Sequence, residues 1–203
     1  MDVYKQVQTG YDQIVLEYAK RNHSKMADNL VALAKELIQH IGQSSHIVEI
    51  GCGTGRDMAW FESQSATITG IDLSMGMLQY ARKNVHSDLF SMNMRYLGFC
   101  DSYFDGAWCC ASLLHLPKTE AVFALQEIRR VLKLGGMLVL SVQAGNGEEW
   151  GESYVPGVKR FFARYQINEM RDILSKNGFS VRKTDLSRDG LRREWLSFVC
   201  VAE

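Results

Sequence analysis

The run Ile47-Val-Glu-Ile-Gly-Cys-Gly-Thr-Gly55 sets the sharpest chemical constraint in the chain. Glycines after an apolar, β-rich stretch permit a tight turn, let backbone approach a ligand closely and open onto a helix N-terminus. Such a loop suits a nucleotide-like cofactor lying across the carboxyl ends of parallel strands. Asp72 stands twenty-one residues beyond Gly51. A carboxylate there can accept hydrogen bonds from both hydroxyls of a ribose. The spacing is G-x-G-x-G, with Arg56 where a dinucleotide fingerprint carries its third glycine, so no pyrophosphate clamp is evident. His115, between Ser112-Leu-Leu and Leu-Pro117, follows a β-rich run and can serve as a catalytic base or substrate contact, or merely cap a turn.

The elements that must carry these residues follow from periodicity. Met26, Leu30, Leu33, Leu37 and Ile41 recur at gaps of four and three, one face of a helix that Ser24 can cap and Gly42 can end. From residue 46 the period changes. Short apolar runs at 46–50, 67–71, 106–111 and 137–142, with a weaker one near 89–94, alternate with helical stretches at 56–63, after Ser74 and at 119–131. Strands alternating with helices require crossovers and a mainly parallel sheet covered on both faces. The end of the chain differs. A helix over 167–177 precedes two strand-like runs, 179–186 and 195–201, separated by the turn chemistry of Ser187-Arg-Asp-Gly190, which predicts an antiparallel hairpin.

The 203 residues fit one domain with an appendage and can bury a core without disulfides or metal. Twenty-three basic residues balance twenty-three acidic ones, which argues against a dedicated nucleic-acid binder. Five cysteines, none paired as C-x-x-C, suit a reducing cytosol better than a zinc ribbon or secreted framework. The first residues lack a signal-peptide pattern, and no run of apolar residues is long enough to span a bilayer. A soluble, cytoplasmic protein is expected. Trp108, Cys109 and Cys110 read as core rather than chemistry, and the cluster Arg182-Lys183, Arg188, Arg192-Arg193 reads as a solvated hairpin face.

In this order and spacing the chain resembles the class I S-adenosylmethionine-dependent methyltransferases from residue 46 to its end. The likeness rests on Val48-Glu-Ile-Gly-Cys-Gly-Thr-Gly55, Gly70-Ile-Asp-Leu-Ser74 with Met77-Leu78, Phe104-Asp-Gly-Ala-Trp108 with Ser112-Leu-Leu-His-Leu-Pro117, and Arg129-Arg-Val-Leu-Lys-Leu-Gly-Gly136. It implies a Rossmann-like α/β sheet of seven mostly parallel strands with an antiparallel last strand, helices on both faces, and an N-terminal helical segment. The segment 1–45 would form a cover and 46–203 the S-adenosylmethionine-binding core. The resemblance puts Glu49, Gly51, Gly53 and Gly55 around the methionine part of S-adenosyl-L-methionine, Asp72 on the ribose and Leu73 against the adenine, with Cys52 and Met77 also among the cofactor-binding residues. Asn93 and Met94 stand where the family often has an acid and an apolar residue flanking adenine; the acid is absent here. Cys110 and Ala111 would lie beside the sulfonium, with His115 near the substrate.

Tyr4, Val7, Tyr11, Ile14 and Tyr18 fall on one helical face, so the N-terminal segment is expected to lie over the cofactor with Tyr11 in contact. Gly10 interrupts the stripe and favours a broken or hinged helix there. Residues 143–165, with Trp150, Tyr154, Arg160, Phe161, Phe162 and Tyr165, are expected to wall a partly apolar substrate. Methyl transfer from a sulfonium is in-line displacement in which positioning does most of the work; a general base is needed only for a protonated nucleophile. The resemblance thus points to a small-molecule methyltransferase, with no membrane partner and nucleic acid disfavoured. The alternatives are a nicotinamide-dependent oxidoreductase and a catalytically silent cofactor-binding partner subunit.

Overall fold

The computed structural model describes residues 3–22, 25–42, 44–190 and 193–203. Ser24, the expected helix cap, and Arg192 of the basic cluster lie outside the described residues. The chain opens with helices α1 (Val3–Asn22) and α2 (Asp28–Ile41). Then follow β1 (His46–Ile50), α3 (Arg56–Ser63), β2 (Thr67–Asp72), α4 (Met75–Ala81), β3 (Leu89–Ser91) and β4 (Phe104–Cys110). A single 3-10 turn (Leu113–His115) leads into α5 (Lys118–Val131), β5 (Leu132–Gln143) and a small hairpin, β6 (Glu148–Glu152) and β7 (Lys159–Ala163). Helix α6 (Ile167–Lys176) precedes β8 (Phe179–Arg188) and β9 (Glu194–Ala202).

The seven-stranded sheet runs in the order β3-β2-β1-β4-β5-β9-β8. Strands β1 to β5 pair in parallel, and β9 lies antiparallel between β5 and β8. The parallel part therefore switches direction of winding at β1 and β4, whose carboxyl ends open side by side. In an open α/β sheet that is where a ligand crevice forms. Burial on both faces follows from the alternation of side chains along each strand. Val48, Ile50, Ala107, Cys109, Leu138 and Leu140 join one core cluster, while Ile47, Trp108, Met137 and Val139 join the other. Cys109 and Cys110 accordingly face opposite sides, and Trp108 is fully buried.

Strand and helix boundaries match the periodicity to within a few residues, with three differences. Strand β5 begins at Leu132 rather than at Met137, because Leu132 pairs with Phe104 before a register shift near Gly106. The β6–β7 hairpin was not expected: its sequence, Glu-Glu-Trp-Gly-Glu against Lys-Arg-Phe-Phe-Ala, lacks the alternation that marks a half-buried strand. The third difference concerns Gly10. Helix α1 runs unbroken through it for 20 residues. A Cβ at Gly10 would sit 3.1 Å from the Lys159 carbonyl oxygen and 3.7 Å from Val158 Cγ1. Glycine is there for close approach to the β7 backbone, not to hinge the helix.

That contact makes α1 sensitive to size at one position. Gly10→Val should destabilise the protein by roughly 1–3 kcal/mol, the usual cost of overpacking, read as a lower urea midpoint. An unchanged midpoint would mean that α1 does not dock against β7 as closely as described.

Candidate active site at the carboxyl ends of β1, β2 and β4

The loop after β1 owes its shape to glycine. Gly51, Gly53 and Gly55 have φ of 79°, 54° and 80°, a region that other residues enter at a cost. A Cβ on Gly51 would also lie 2.4 Å from Ser112 Cβ. Ser112 in turn donates from its buried hydroxyl to the Ile50 carbonyl at 2.5 Å, tying the end of β4 to the end of β1. Gly55 packs where a Cβ would meet Ala81 and Val85 at 3.1 Å, so it serves helix packing. Ala111, closing β4, has φ of 57°, a left-handed conformation uncommon for a residue with a Cβ. Strain of this kind is concentrated at functional sites.

Asp72 joins two loops. Its Oδ2 accepts the Gly53 N–H at 2.8 Å and its Oδ1 accepts the Ser74 N–H at 2.8 Å. Burial nevertheless raises its carboxyl to about 6, against the lowering effect of those backbone donors. Asp72 faces an inner cavity of about 80 Å³ bounded by Leu73, Met77, Met92 and Met94 on one side and by Tyr4, Val7, Gln8 and Tyr11 of α1 on the other. Helix α1 is bonded to this wall. Gln8 Nε2 donates to the Leu73 carbonyl at 3.0 Å, and Asp12 Oδ1 accepts from the Ser74 hydroxyl at 2.5 Å and from the Gly76 N–H at 2.9 Å.

A wider cavity of about 300 Å³ adjoins the first, and Tyr11, Tyr18, Gly51, Gly53, Ala111 and His115 border both. Its floor holds Glu49, which is buried and has an unpartnered Oε2. Burial, reinforced by the Asp57 charge, pushes the Glu49 carboxyl well above its ordinary value. Beside it Arg56 Nε meets Asp57 Oδ1 at 2.5 Å, and the Trp108 indole donates to Asp57 Oδ2 at 2.9 Å. Cys52 and Cys110 also line this cavity, and burial raises both thiols well above their usual range, so they stand protonated. Tyr154, Arg160 and Phe162 of the β6–β7 region form the far wall. Trp150, Phe161 and Tyr165 instead turn into or against the core, so only half of the expected substrate wall faces the cavity.

His115 sits at the junction. Its Nδ1 lies 2.7 Å from the Phe161 carbonyl oxygen, which can only accept, so Nδ1 carries the proton. Its Nε2 is then the acceptor for the Tyr11 hydroxyl at 2.6 Å. Burial lowers His115 to about 4, so the ring is neutral at physiological pH, and burial also raises the Tyr11 hydroxyl. The geometry thus supplies a fixed neutral Tyr–His pair rather than a free imidazole.

Of the residues picked from sequence, Tyr11, Gly51, Gly53, Asp72, Leu73, Met77, Met94, Ala111 and His115 border the inner cavity, and Glu49, Cys52 and Cys110 the wider one. Gly55 and Asn93 border neither. The Asn93 side-chain oxygen is instead taken by the Tyr4 hydroxyl and by the Arg95 N–H at 2.9 Å, and Met92 stands in the wall beside Met94. Sequence reading missed Gln8 and Asp12. Their positions one turn from Tyr4, Val7 and Tyr11 on the same helix were the available signal. The described hairpin cations are mostly paired at the surface, Lys183 with Glu36 and Asp185, Arg188 with Glu194 and Arg193 with Asp189.

A family model described as methyltransferase domain matches residues 48–140. The malonyl-[acyl-carrier protein] O-methyltransferase of Erwinia pyrifoliae is 31% identical over 126 residues, covering 61% of this chain and 47% of that protein. The chain is similar to the class I S-adenosylmethionine-dependent methyltransferases over this region. It spans about half the length of the curated relatives it matches. Among solved structures, the magnesium protoporphyrin IX methyltransferase of Synechocystis superposes with a TM-score of 0.77 at 17% identity, over 100% of this chain and 98% of that one. The [4+2]-cyclase SpnF superposes with a TM-score of 0.73 at 17% identity, over 97% and 94%. Likeness at that level establishes the fold; the side chains at the strand ends must carry the chemistry.

The state of His115 is open to measurement. Carbon-13 and nitrogen-15 spectra of the imidazoles should contain one ring that stays neutral in the Nδ1–H form from pH 9 down to 5 and titrates only near 4. If every histidine instead titrates between about 6 and 7, the ordinary range for an exposed imidazole, the buried Tyr11–His115 pair is wrong.

Proposed function

We propose that the protein is a methyltransferase that takes its methyl group from S-adenosyl-L-methionine and delivers it to a small-molecule acceptor. The observation that carries this reading is the Asp72 carboxylate. It is anchored through both oxygens to Gly53 and Ser74 and still borders the inner cavity, while the buried, unpartnered Glu49 oxygen lies in the adjoining one. Asp72 fits two ribose hydroxyls, and Glu49 fits an ammonium group at the other end of the same ligand. Leu73, Met77, Met92 and Met94 offer an apolar slot for a purine. When bound, the cofactor supplies an electrophilic methyl on a cationic sulfur.

The protein's own part is positioning. Tyr11, held by His115, borders both cavities and so stands where donor and acceptor groups would meet. A neutral imidazole lowered to about 4 is a weak base, so His115 acts chiefly by fixing the Tyr11 hydroxyl. An acceptor that arrives ionised needs no more than that. The five unpaired cysteines suit a reducing compartment such as the cytosol. Among the described residues no helix is long and apolar enough to cross a membrane.

Binding decides the reading first. Calorimetry should register S-adenosylhomocysteine and no comparable heat from NAD; the reverse result would overturn the assignment. Only the ionised Asp72 accepts from both ribose hydroxyls, so binding favours that form. Affinity should be greatest above pH 6 and weaken below it, by up to about tenfold per pH unit. Asp72→Ala should cost roughly ten- to hundredfold in affinity, the range for hydrogen bonds to a charged group, and should flatten that pH dependence.

Helix α1 is proposed as the cover of this site, since it contributes Tyr4, Val7, Gln8 and Tyr11 to the wall and grips the ribose-side loop through Gln8 and Asp12. Amide hydrogen exchange over residues 3–22 should slow when S-adenosylhomocysteine binds. Equal protection with and without it means that α1 is a permanent structural helix.

A further inference from the structure

Among the described residues, Arg160 is the buried cation of the wider cavity that no carboxylate pairs with. Its side chain is 7% exposed, and its Nε has no hydrogen-bond partner. Among the described residues no carboxylate lies within ion-pair distance of it. The other three guanidinium groups lining the cavity from described residues are already engaged: Arg56 Nε with Asp57 at 2.5 Å, Arg188 Nη2 with Glu194 at 2.7 Å and Arg193 Nε with Asp189 at 2.6 Å. Arg160 lies instead against aromatic faces, 4.5 Å from the Tyr154 ring centroid and 5.1 Å from that of Phe162. The rest of the guanidinium interacts with the Tyr11 and Tyr154 hydroxyls, hydrogen-bond partners rather than a carboxylate counter-ion.

Ring faces return only part of what a guanidinium loses on leaving water, and an unmet buried N–H adds to the cost. A side chain kept in that condition inside a cavity is poised for a ligand. We propose, resting on the methyltransferase reading of this site, that Arg160 binds the carboxylate of an acidic acceptor with a partly apolar body. One uncompensated positive charge matches one negative charge. A dianionic phosphate would need a second free cation, and Arg56, Arg188 and Arg193 are committed. A neutral carbonyl would accept one hydrogen bond and leave the charge unanswered. The guanidinium fork suits a carboxylate's two oxygens, and Tyr18, Tyr154, Phe162 and Trp195 provide apolar walls for the rest of the molecule.

The assignment is tested with acid and amide probes of matched shape: benzoate against benzamide, phenylacetate against phenylacetamide, and indole-3-acetate against indole-3-acetamide. Calorimetry is run on the full chain, alone and saturated with S-adenosylhomocysteine. At least one acid should bind about tenfold or more tightly than its amide, roughly 1.4 kcal/mol. Arg160→Gln should bring acid and amide within about twofold of each other, and Arg160→Lys should restore most of the preference. S-adenosylhomocysteine affinity should be unchanged in Arg160→Gln, which guards against a folding defect. Equal binding of acid and amide by the wild-type protein, no binding of any acid, or a preference that survives Arg160→Gln overturns the proposal. Failure of S-adenosylhomocysteine to bind sinks the methyltransferase reading instead, while the acid-over-amide comparison on the protein alone still decides the role of Arg160.

Discussion

The site depends on one carboxylate that is bonded before any ligand arrives. Asp72 accepts from Gly53 on the loop after β1 and from Ser74 at the start of α4. Those two bonds hold two strand-end loops in register across the crevice. The rest follows from that tie. The Ser74 hydroxyl reaches Asp12, which also takes the Gly76 N–H, so the same corner anchors α1. Helix α1 then carries Tyr11 over the opening, where His115 fixes it. A chain of polar contacts thus runs from the sheet through the glycine loop to the helix above it, and each member is oriented by the one before.

That arrangement explains why burial and reactivity diverge here. Five thiols are free, yet Cys52, Cys109, Cys110 and Cys200 are all pushed upward by burial and stay protonated. None of these four is disposed to act as a nucleophile. Burial moves the Asp72 and Glu49 carboxyls up and the His115 imidazole down. In each case the cavity disfavours charge, and a ligand carrying the complementary group recovers what was lost. A positive sulfonium with an ammonium on one side and a negative acceptor on the other would neutralise a site whose own charges are poorly met.

Much of this was legible in the sequence because it depended on local signals. Strand β1, the glycine loop and helix α3 are contiguous, and Ser74 caps α4 through the Met77 N–H as its residue type suggests. Side-chain direction was less legible. Asn93 has the right position in the chain, but its side-chain oxygen is drawn away by the neighbouring Arg95 N–H and by the Tyr4 hydroxyl, the latter a contact between residues far apart in sequence. Gly10 was misread for a similar reason. In isolation it weakens a helix, and only the β7 backbone beside it reveals that a larger residue would not fit. The β6–β7 hairpin escaped notice because it is a two-stranded flap outside the main sheet, with neither face following the alternation of a core strand.

Residues of that hairpin are also where this chain acquires its individuality. The glycine loop, Asp72 and the β4 end answer a requirement common to the fold, namely a ligand laid across parallel strand ends. The hairpin walls the wider cavity beside them. It presents the Phe161 carbonyl to orient His115, the Phe162 ring to the cavity and the Arg160 guanidinium between aromatic faces, all within three consecutive residues. In an antiparallel strand, neighbours point to opposite sides, which is why Arg160 and Phe162 border the cavity and Phe161 does not, while Phe162 also packs in the core. A one-residue slip between β6 and β7 would exchange those roles and bury the guanidinium in hydrocarbon. The register Trp150–Phe161 and Gly151–Arg160 therefore sets which side chains of the hairpin reach the cavity. Gly151, whose Cβ would come within 3.2 Å of the Phe162 ring, leaves room for that ring to lie where it does.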